Sequence, residues 1–155
     1  MKKILLLVVC AFISFAYANA QVKELSKEMK KEMKADLKKL EKEKWVGAGA
    51  DADLEKAIER CYRYMEDSLN WVVAEAVAKE TDINHSYARK KAVAKATEQA
   101  NLRVLLKSRD FLREHKIKKA EVGKRLENVL TLYRDGKKTA DGSEALVRVA
   151  LRISE

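Results

Sequence analysis

Proline is absent from this chain of 155 residues, and glycine occurs only five times. Because these two residues mark most turns and helix breaks, their scarcity favours long helices and few sharp turns. Aromatic residues make up 6% of the chain and charged residues 37%, a composition typical of helices with solvated faces. The length predicts a single folded domain.

Cysteine and histidine are also scarce, with two residues of each, and this limits the chemistry that can be predicted. His85 and His115 lie far apart without an HExxH or CxxC motif, so no metal site is predicted. The chain has no GxSxG motif, and the glycines of VGAGADAD follow a helical segment, whereas a phosphate-binding loop follows a strand. We therefore expect no enzymatic activity and no cofactor. If an enzyme site is assembled from scattered residues, Cys61, Glu75 and His85 are its first candidates.

The N-terminal segment has the three parts of a signal peptide. Lys2 and Lys3 form a basic start, residues 4–15 form an apolar run, and Ala18-Asn19-Ala20 is a small-x-small cleavage site. The apolar run is too short to cross a bilayer of roughly 30 Å as a helix. We expect cleavage after Ala20, a mature chain that starts at Gln21, and a periplasmic or secreted location.

Cys10 raises the question of a lipid anchor. Val8 and Val9 precede it, and the apolar run continues after it, whereas a lipidation site has small residues before the cysteine. We therefore expect no lipid at Cys10. The mature chain then has one cysteine, Cys61, on an apolar helical stripe, where we expect a small buried hydrophobic residue.

Hydrophobic periodicity predicts most of the secondary structure. Residues 22–44 form a charged amphipathic helix, either packed on the domain or partly detached as an arm, and 45–53 form a glycine-containing break. A second helix is expected over 52–66. Residues 70–79 are compatible with a strand or with the start of a helix, and we favour the strand.

The second half of the chain predicts one long helix and a hairpin. Residues 86–115 form the helix, whose alanines recur every four residues. Strict alternation over 127–134 and 145–153 predicts two antiparallel strands joined by a loop. The expected fold is α+β, with a three-stranded antiparallel sheet (β-α-β-β) on one long helix after two N-terminal helices. The expected organisation is a signal peptide (1–20), the charged amphipathic helix (21–45) and the α+β domain (46–155).

The net charge of +9 favours acidic partners. Nucleic acid is not expected, because the chain is exported and its basic residues alternate with acidic ones. Arg148 and Arg152 on one strand, with Arg134 on its neighbour, are the candidate residues for binding an anionic envelope component. The alternative is a solvated sheet face whose basic residues protect an edge strand.

Several stretches together resemble a known family: LEKEKWVGAGADADLEKAIERCYRYM, VVAEAVA, YARKKAVAKATEQANLRVL and ENVLTLYRDGKKTADGSEALVRVALRI. In their pattern they are similar to secreted proteins grouped with the LPP-type twenty-kilodalton outer-membrane lipoproteins. The resemblance covers about Lys39 to Ile153. It implies a curved antiparallel sheet against one long helix and a cell-envelope or secreted location, without an enzyme activity or cofactor. The lipid anchor of that family is not carried over, because Cys10 lacks a good lipidation motif.

The sequence thus predicts a non-enzymatic exported cell-envelope protein that acts as a binding or structural module. Its expected partners are an envelope protein or an anionic envelope component, with no membrane-spanning segment, and homodimer formation stays open. The alternative function is a periplasmic holdase-type chaperone for outer-membrane proteins.

Overall fold

A computed structural model describes residues 24–115 and 125–153, so the predicted signal peptide and Cys10 lie outside the described residues. Within these residues the chain forms three helices, four strands and two short 3₁₀ turns. In chain order these are α1 (Lys27–Lys42), β1 (Val46–Gly47), a turn (Gly49–Asp51), α2 (Leu54–Glu66), β2 (Trp71–Glu80), α3 (His85–Glu114), β3 (Leu126–Asp135), a turn (Thr139–Asp141) and β4 (Ser143–Arg152). The predicted α+β class is confirmed, and the segment around Trp71 is a strand.

The sheet has four strands in the order β1-β3-β4-β2, and every neighbouring pair is antiparallel. The prediction of three strands is therefore wrong, because β1 adds a fourth strand within the segment that was expected to be a break. A two-residue strand is too short to show a period. The strand is followed closely by the turn at Asp51, and only glycine fits at position 47, because a side-chain carbon there would lie 1.6 Å from the carbonyl oxygen of Asp51.

Helix α3 covers one face of the sheet along a stripe of small side chains. Alanine at every fourth position lets the helix approach the alanines of β2 closely, and the two sets lie in one buried cluster with inward residues of β4. Its most buried members are Ala76, Ala92, Ala96, Ala100, Val104, Ala145 and Val147.

Helices α1 and α2 cover the opposite face, which the predicted arrangement left open. Ile58 of α2 and Leu40 of α1 pack with Leu130, Leu132 and Leu146 of the sheet in a second buried cluster. The architecture is therefore three layers, and β4 is buried on both faces. This second layer corrects the expectation of a sheet with a single covering helix.

The amphipathic helix α1 is packed on the domain and is not a detached arm. Leu25, Met33 and Leu40 along its apolar stripe are buried. Ser26 caps the helix by accepting a hydrogen bond from the Met29 amide at 3.2 Å. Its hydroxyl also donates to Glu66 of α2 at 3.1 Å, so the cap fastens α1 to its neighbour.

The other two helices also begin after residues whose side chains cap them. The side chain of Asp53 accepts a hydrogen bond from the Lys56 amide at 3.2 Å, and that of Asn84 accepts one from the Ser86 amide at 2.8 Å. No helix in residues 24–115 or 125–153 is long and apolar enough to cross a membrane.

Candidate functional site

The three predicted binding arginines lie on one face of the sheet, but that face is covered by α1 and α2. Arg148 is only 9% exposed. Arg134 is half-buried, stacks over the Trp45 ring at 4.6 Å and pairs with Glu144 at 2.6 Å. Arg152 is half-buried, and none of the described residues forms a side-chain hydrogen bond or ion pair with it. The shared exposed basic face that the alternation suggested is therefore not present in the described structure.

Arg148 lies at the centre of a buried ion cluster. Its guanidinium donates to Asp36 of α1 at 2.6 Å and to Glu75 of β2 at 2.7 Å. Burial opposes its charge, but the hydrogen bond and the negative charge of Asp36 outweigh that effect and raise the pKa of Arg148. Arg148 therefore joins α1 to the sheet and is not available as a surface anion site.

Two of the three residues that a scattered enzyme site would use meet at this cluster. Cys61 of α2 lies beside the Arg148 guanidinium, and Glu75 is the ion-pair partner of Arg148. Burial raises the pKa of the Cys61 thiol, which disfavours the thiolate. His85 is elsewhere, at the start of α3, where its backbone carbonyl accepts from the Ser143 hydroxyl at 3.4 Å. The three side chains do not converge.

An open cavity of about 600 Å³ lies on the side of the sheet that α2 covers. This volume is within the range of small-molecule sites, roughly 300–1,000 Å³. The cavity lies between the turn after β1, helix α2 and the middle of β3. Its lining residues are Ala48, Gly49, Ala50, Asp51, Arg60, Tyr64, Asn128, Val129 and Thr131.

Asp51 fixes one wall of this cavity. The residue is 6% exposed. Its carboxylate accepts hydrogen bonds from the backbone amide of Thr131 at 2.7 Å and from the Arg60 guanidinium. The same Arg60 group donates to the carbonyl of Val129 at 3.1 Å. One buried carboxylate and one half-exposed arginine thus tie the turn, α2 and β3 together.

A β-bulge in β3 forms the facing wall. The register with β4 shifts between Asn128 and Leu130, so Val129 is the extra residue, and its carbonyl turns to Arg60. Bulges re-aim side chains and occur often beside functional sites. Here the bulge is flanked by Asn128, whose amide oxygen accepts from the Thr131 hydroxyl at 3.1 Å. The amide nitrogen of Asn128 has no hydrogen-bond partner among the described residues.

Tyr64 closes the cavity at the α2 side. Its hydroxyl donates to the carboxylate of Glu127, and its ring packs edge-on against Trp71 with centroids 4.8 Å apart. Burial, followed by the hydrogen bond to Glu127, raises the pKa of Tyr64 to about 12. The hydroxyl is therefore neutral at physiological pH and acts as a hydrogen-bonding group.

Two side chains in the wall of the cavity, Arg60 and Asn128, offer hydrogen-bond donors. Arg60 donates to Asp51 and Val129 from one guanidinium nitrogen, Nη2, and its other two nitrogens carry further N–H groups; Asn128 has its amide nitrogen. Such a wall matches a ligand rich in acceptors, such as carbonyl or carboxylate oxygens. Among residues 24–115 and 125–153, no three His, Cys, Asp or Glu side chains are grouped as a metal site would require.

Sequence patterns gave little indication of this site. The segment 45–53 was expected to be only a break, and Asn128 and Thr131 lie in a strand whose alternation hides the bulge. Small residues around an aspartate before a helix are the only local signal, and they are as common in ordinary linkers.

Comparison of the chain with models of known families, with curated proteins and with solved structures finds no match. The resemblance to the LPP-type lipoproteins therefore stays a prediction, and the site has to be interpreted from its own geometry.

Proposed function

We propose that the protein is a non-enzymatic, exported binding module of the cell envelope, whose cavity beside Arg60 and the bulge of β3 holds an acceptor-rich ligand. The observation that carries the proposal is this open cavity, with unpaired donors on a wall fixed by the Asp51–Arg60 pair. Export rests on the signal-peptide pattern.

The rigidity of the wall supports a binding role. Asp51 and Arg60 are held by contacts to both the bulge and the turn, so the donors are oriented before a ligand arrives. Pre-orientation reduces the entropy that binding would otherwise lose. Polar groups that are few and fixed in a concave surface are typical of small-ligand sites.

The electrostatics support a carboxylate or carbonyl ligand in particular. Arg60 is partly exposed, with side-chain exposure of 44%, and among the described residues it forms an ion pair with one carboxylate, that of Asp51. A guanidinium can accept a second carboxylate through its remaining N–H groups. In the envelope, the stem peptides of the wall polymer carry such groups, and they are the ligand class we propose.

The test is an amide NMR titration of the mature protein with soluble muropeptides. We expect shifts confined to the lining residues, with the variant Asn128→Ala weakening binding about 5- to 10-fold through the loss of one or two hydrogen bonds. Asn128 is exposed, so its removal leaves the core intact. Asn101→Ala, at a half-buried position of α3 that does not line the cavity, is the matched control and should bind normally.

Two results would contradict the proposal. One is the absence of shifts at the cavity at millimolar muropeptide. The other is an equal affinity of the Asn128→Ala protein. The export part has its own test, since the intact mass of the protein from its native cells should correspond to a chain that starts at Gln21 without lipid.

A further inference from the structure

The outer side of α3 carries an apolar patch that no described residue covers. Leu102, Leu105 and Leu106 are 59%, 44% and 58% exposed. They lie on the face opposite the buried stripe of Ala100 and Val104, and therefore point away from the sheet. Single exposed leucines are ordinary, but three on adjacent turns form a contiguous surface that favours an interaction.

Charged residues extend this patch in both directions with a regular spacing. Glu98 lies four residues before Leu102. Leu105 lies three residues after Leu102, and Arg109 lies four residues after Leu105. Alternating steps of four and three are the a/d pattern of a helix that packs against another helix. The patch is thus a short coiled-coil seam with an acid at one end and a base at the other.

The two charged ends have no partners among the described residues. Neither Glu98 nor Arg109 forms an ion pair or side-chain hydrogen bond with any residue in 24–115 or 125–153, although both are exposed. Most other charges on α3 are engaged: Lys95 pairs with Glu80 at 2.6 Å, for example. The free charges are therefore placed where a second helix would meet them.

A second copy of the same helix, running antiparallel, would give each of the two leucines an apolar partner and each of the two charged residues a partner of opposite charge. When a two-fold axis passes between residues 103 and 104, Leu102 faces the partner subunit's Leu105, and Glu98 faces the partner subunit's Arg109. Antiparallel coiled coils pair a positions with d positions in this way. The match is reciprocal, as a two-fold interface requires.

We propose that the protein self-associates through the outer face of α3, with Glu98 and Arg109 setting the register of an antiparallel dimer. The contact involves three turns of one helix and is small, so association is weak, in the micromolar range. The cavity beside Arg60 lies on the other side of the sheet. A dimer would therefore present two cavities outward, but the proposal does not depend on a ligand there.

The test is sedimentation equilibrium of the mature protein over a wide concentration range at low salt, with charge-exchange variants. Glu98→Arg and Arg109→Glu each place like charges together twice per dimer, and each should weaken association about tenfold or more. The double variant Glu98→Arg/Arg109→Glu restores both pairs and should dimerise as the original does. Restoration occurs only if the two positions meet across the interface.

Leucine variants distinguish this specific contact from nonspecific association. Leu102→Gln should abolish self-association, whereas Leu69→Gln should leave it unchanged, since Leu69 is 73% exposed and lies outside the patch. Circular dichroism checks that each variant is folded. A chain that stays monomeric at all concentrations would overturn the proposal, as would a double charge variant that stays as weak as the singles. A monomer that uses the patch to protect an unfolded outer-membrane protein from aggregation would overturn it in favour of the chaperone hypothesis.

Discussion

Arg148→Met tests whether the buried ion cluster fastens α1 to the sheet. Arg148 is 9% exposed, and the side chains of its partners Asp36 and Glu75 are 16% and 44% exposed. Methionine fills similar space and has no charge. The variant therefore leaves the largely buried Asp36 carboxylate without its counter-ion, with a 3.4 Å hydrogen bond from the Tyr62 hydroxyl as its remaining side-chain contact among the described residues.

The size of the effect follows from the burial of the two acids. Removing one partner of a buried pair costs about 3–5 kcal/mol. Glu75 is nearly half exposed and can be solvated, so most of the cost comes from Asp36, and we expect a loss of about 3 kcal/mol. This is a large part of the roughly 5–15 kcal/mol by which a domain is stable.

The assay is urea unfolding at neutral pH, followed by circular dichroism and extrapolated linearly to water. Arg152→Met is the matched control, because Arg152 lies on the same strand and face but is half-buried and without a side-chain partner among the described residues. We expect it to cost less than about 0.5 kcal/mol. The pair Asp36→Leu/Arg148→Met removes both charges and should recover most of the lost stability.

The reasoning would be refuted by a loss below about 1 kcal/mol for Arg148→Met, or by equal losses for the two arginine variants. Either result would mean that Asp36 reaches water and that α1 is held by its apolar stripe alone.

Three further predictions follow from the fold. Gly142→Ala should lower stability by more than about 2 kcal/mol in urea unfolding, since its φ is +73° and a backbone oxygen lies 2.3 Å from the added carbon. Gly49→Ala, with φ +58° but open space around the added carbon, should cost about 1–2 kcal/mol in the same assay. Tyr62 and Tyr64 have their pKa raised to about 12 by burial and then by nearby carboxylates. Above about pH 10 the unfolded chain loses tyrosine protons that the folded one keeps, so stability should fall between about pH 10 and 12 in denaturant titrations. Cys61, fully buried with a raised pKa, should react with iodoacetamide only as fast as the protein unfolds, and rapid labelling under native conditions would contradict its placement.

The secondary structure was largely predictable because its periods are strong. The long helix expected over 86–115 spans His85–Glu114, and the strand expected over 145–153 spans Ser143–Arg152. These elements bury a regular stripe, and a regular stripe is visible in a single sequence. The two-residue strand Val46–Gly47 was missed, since its identity depends on pairing with Tyr133 and Leu132 far along the chain.

The layering was less predictable, and β4 shows why. Its alternation was interpreted as one apolar face and one basic face. On the second face, Leu146 precedes Arg148 and Ala150 lies between Arg148 and Arg152. Both apolar residues are buried beneath α1 and α2. A strand covered on both sides is a nearly continuous apolar run, and the run ALVRVALRI has that character. Because Arg148 and Arg152 interrupt this apolar run at every fourth position, its sequence resembles that of a strand with one solvated face.

The buried ion pair of Arg148 could not be predicted from sequence periodicity. An arginine within a run of apolar residues has two physical outcomes: it faces water, or it meets a buried carboxylate. The choice depends on Asp36, which is 112 positions away and is one of several acids spaced every fourth residue along α1. Only the packing of α1 across β4 selects Asp36 from that stripe, and the packing is set by Leu40 and its apolar neighbours on the same helix. The buried charge in turn penalises any register of α1 that would leave it unpaired. The N-terminal helix and the central strand therefore specify each other's position, although neither segment alone indicates it.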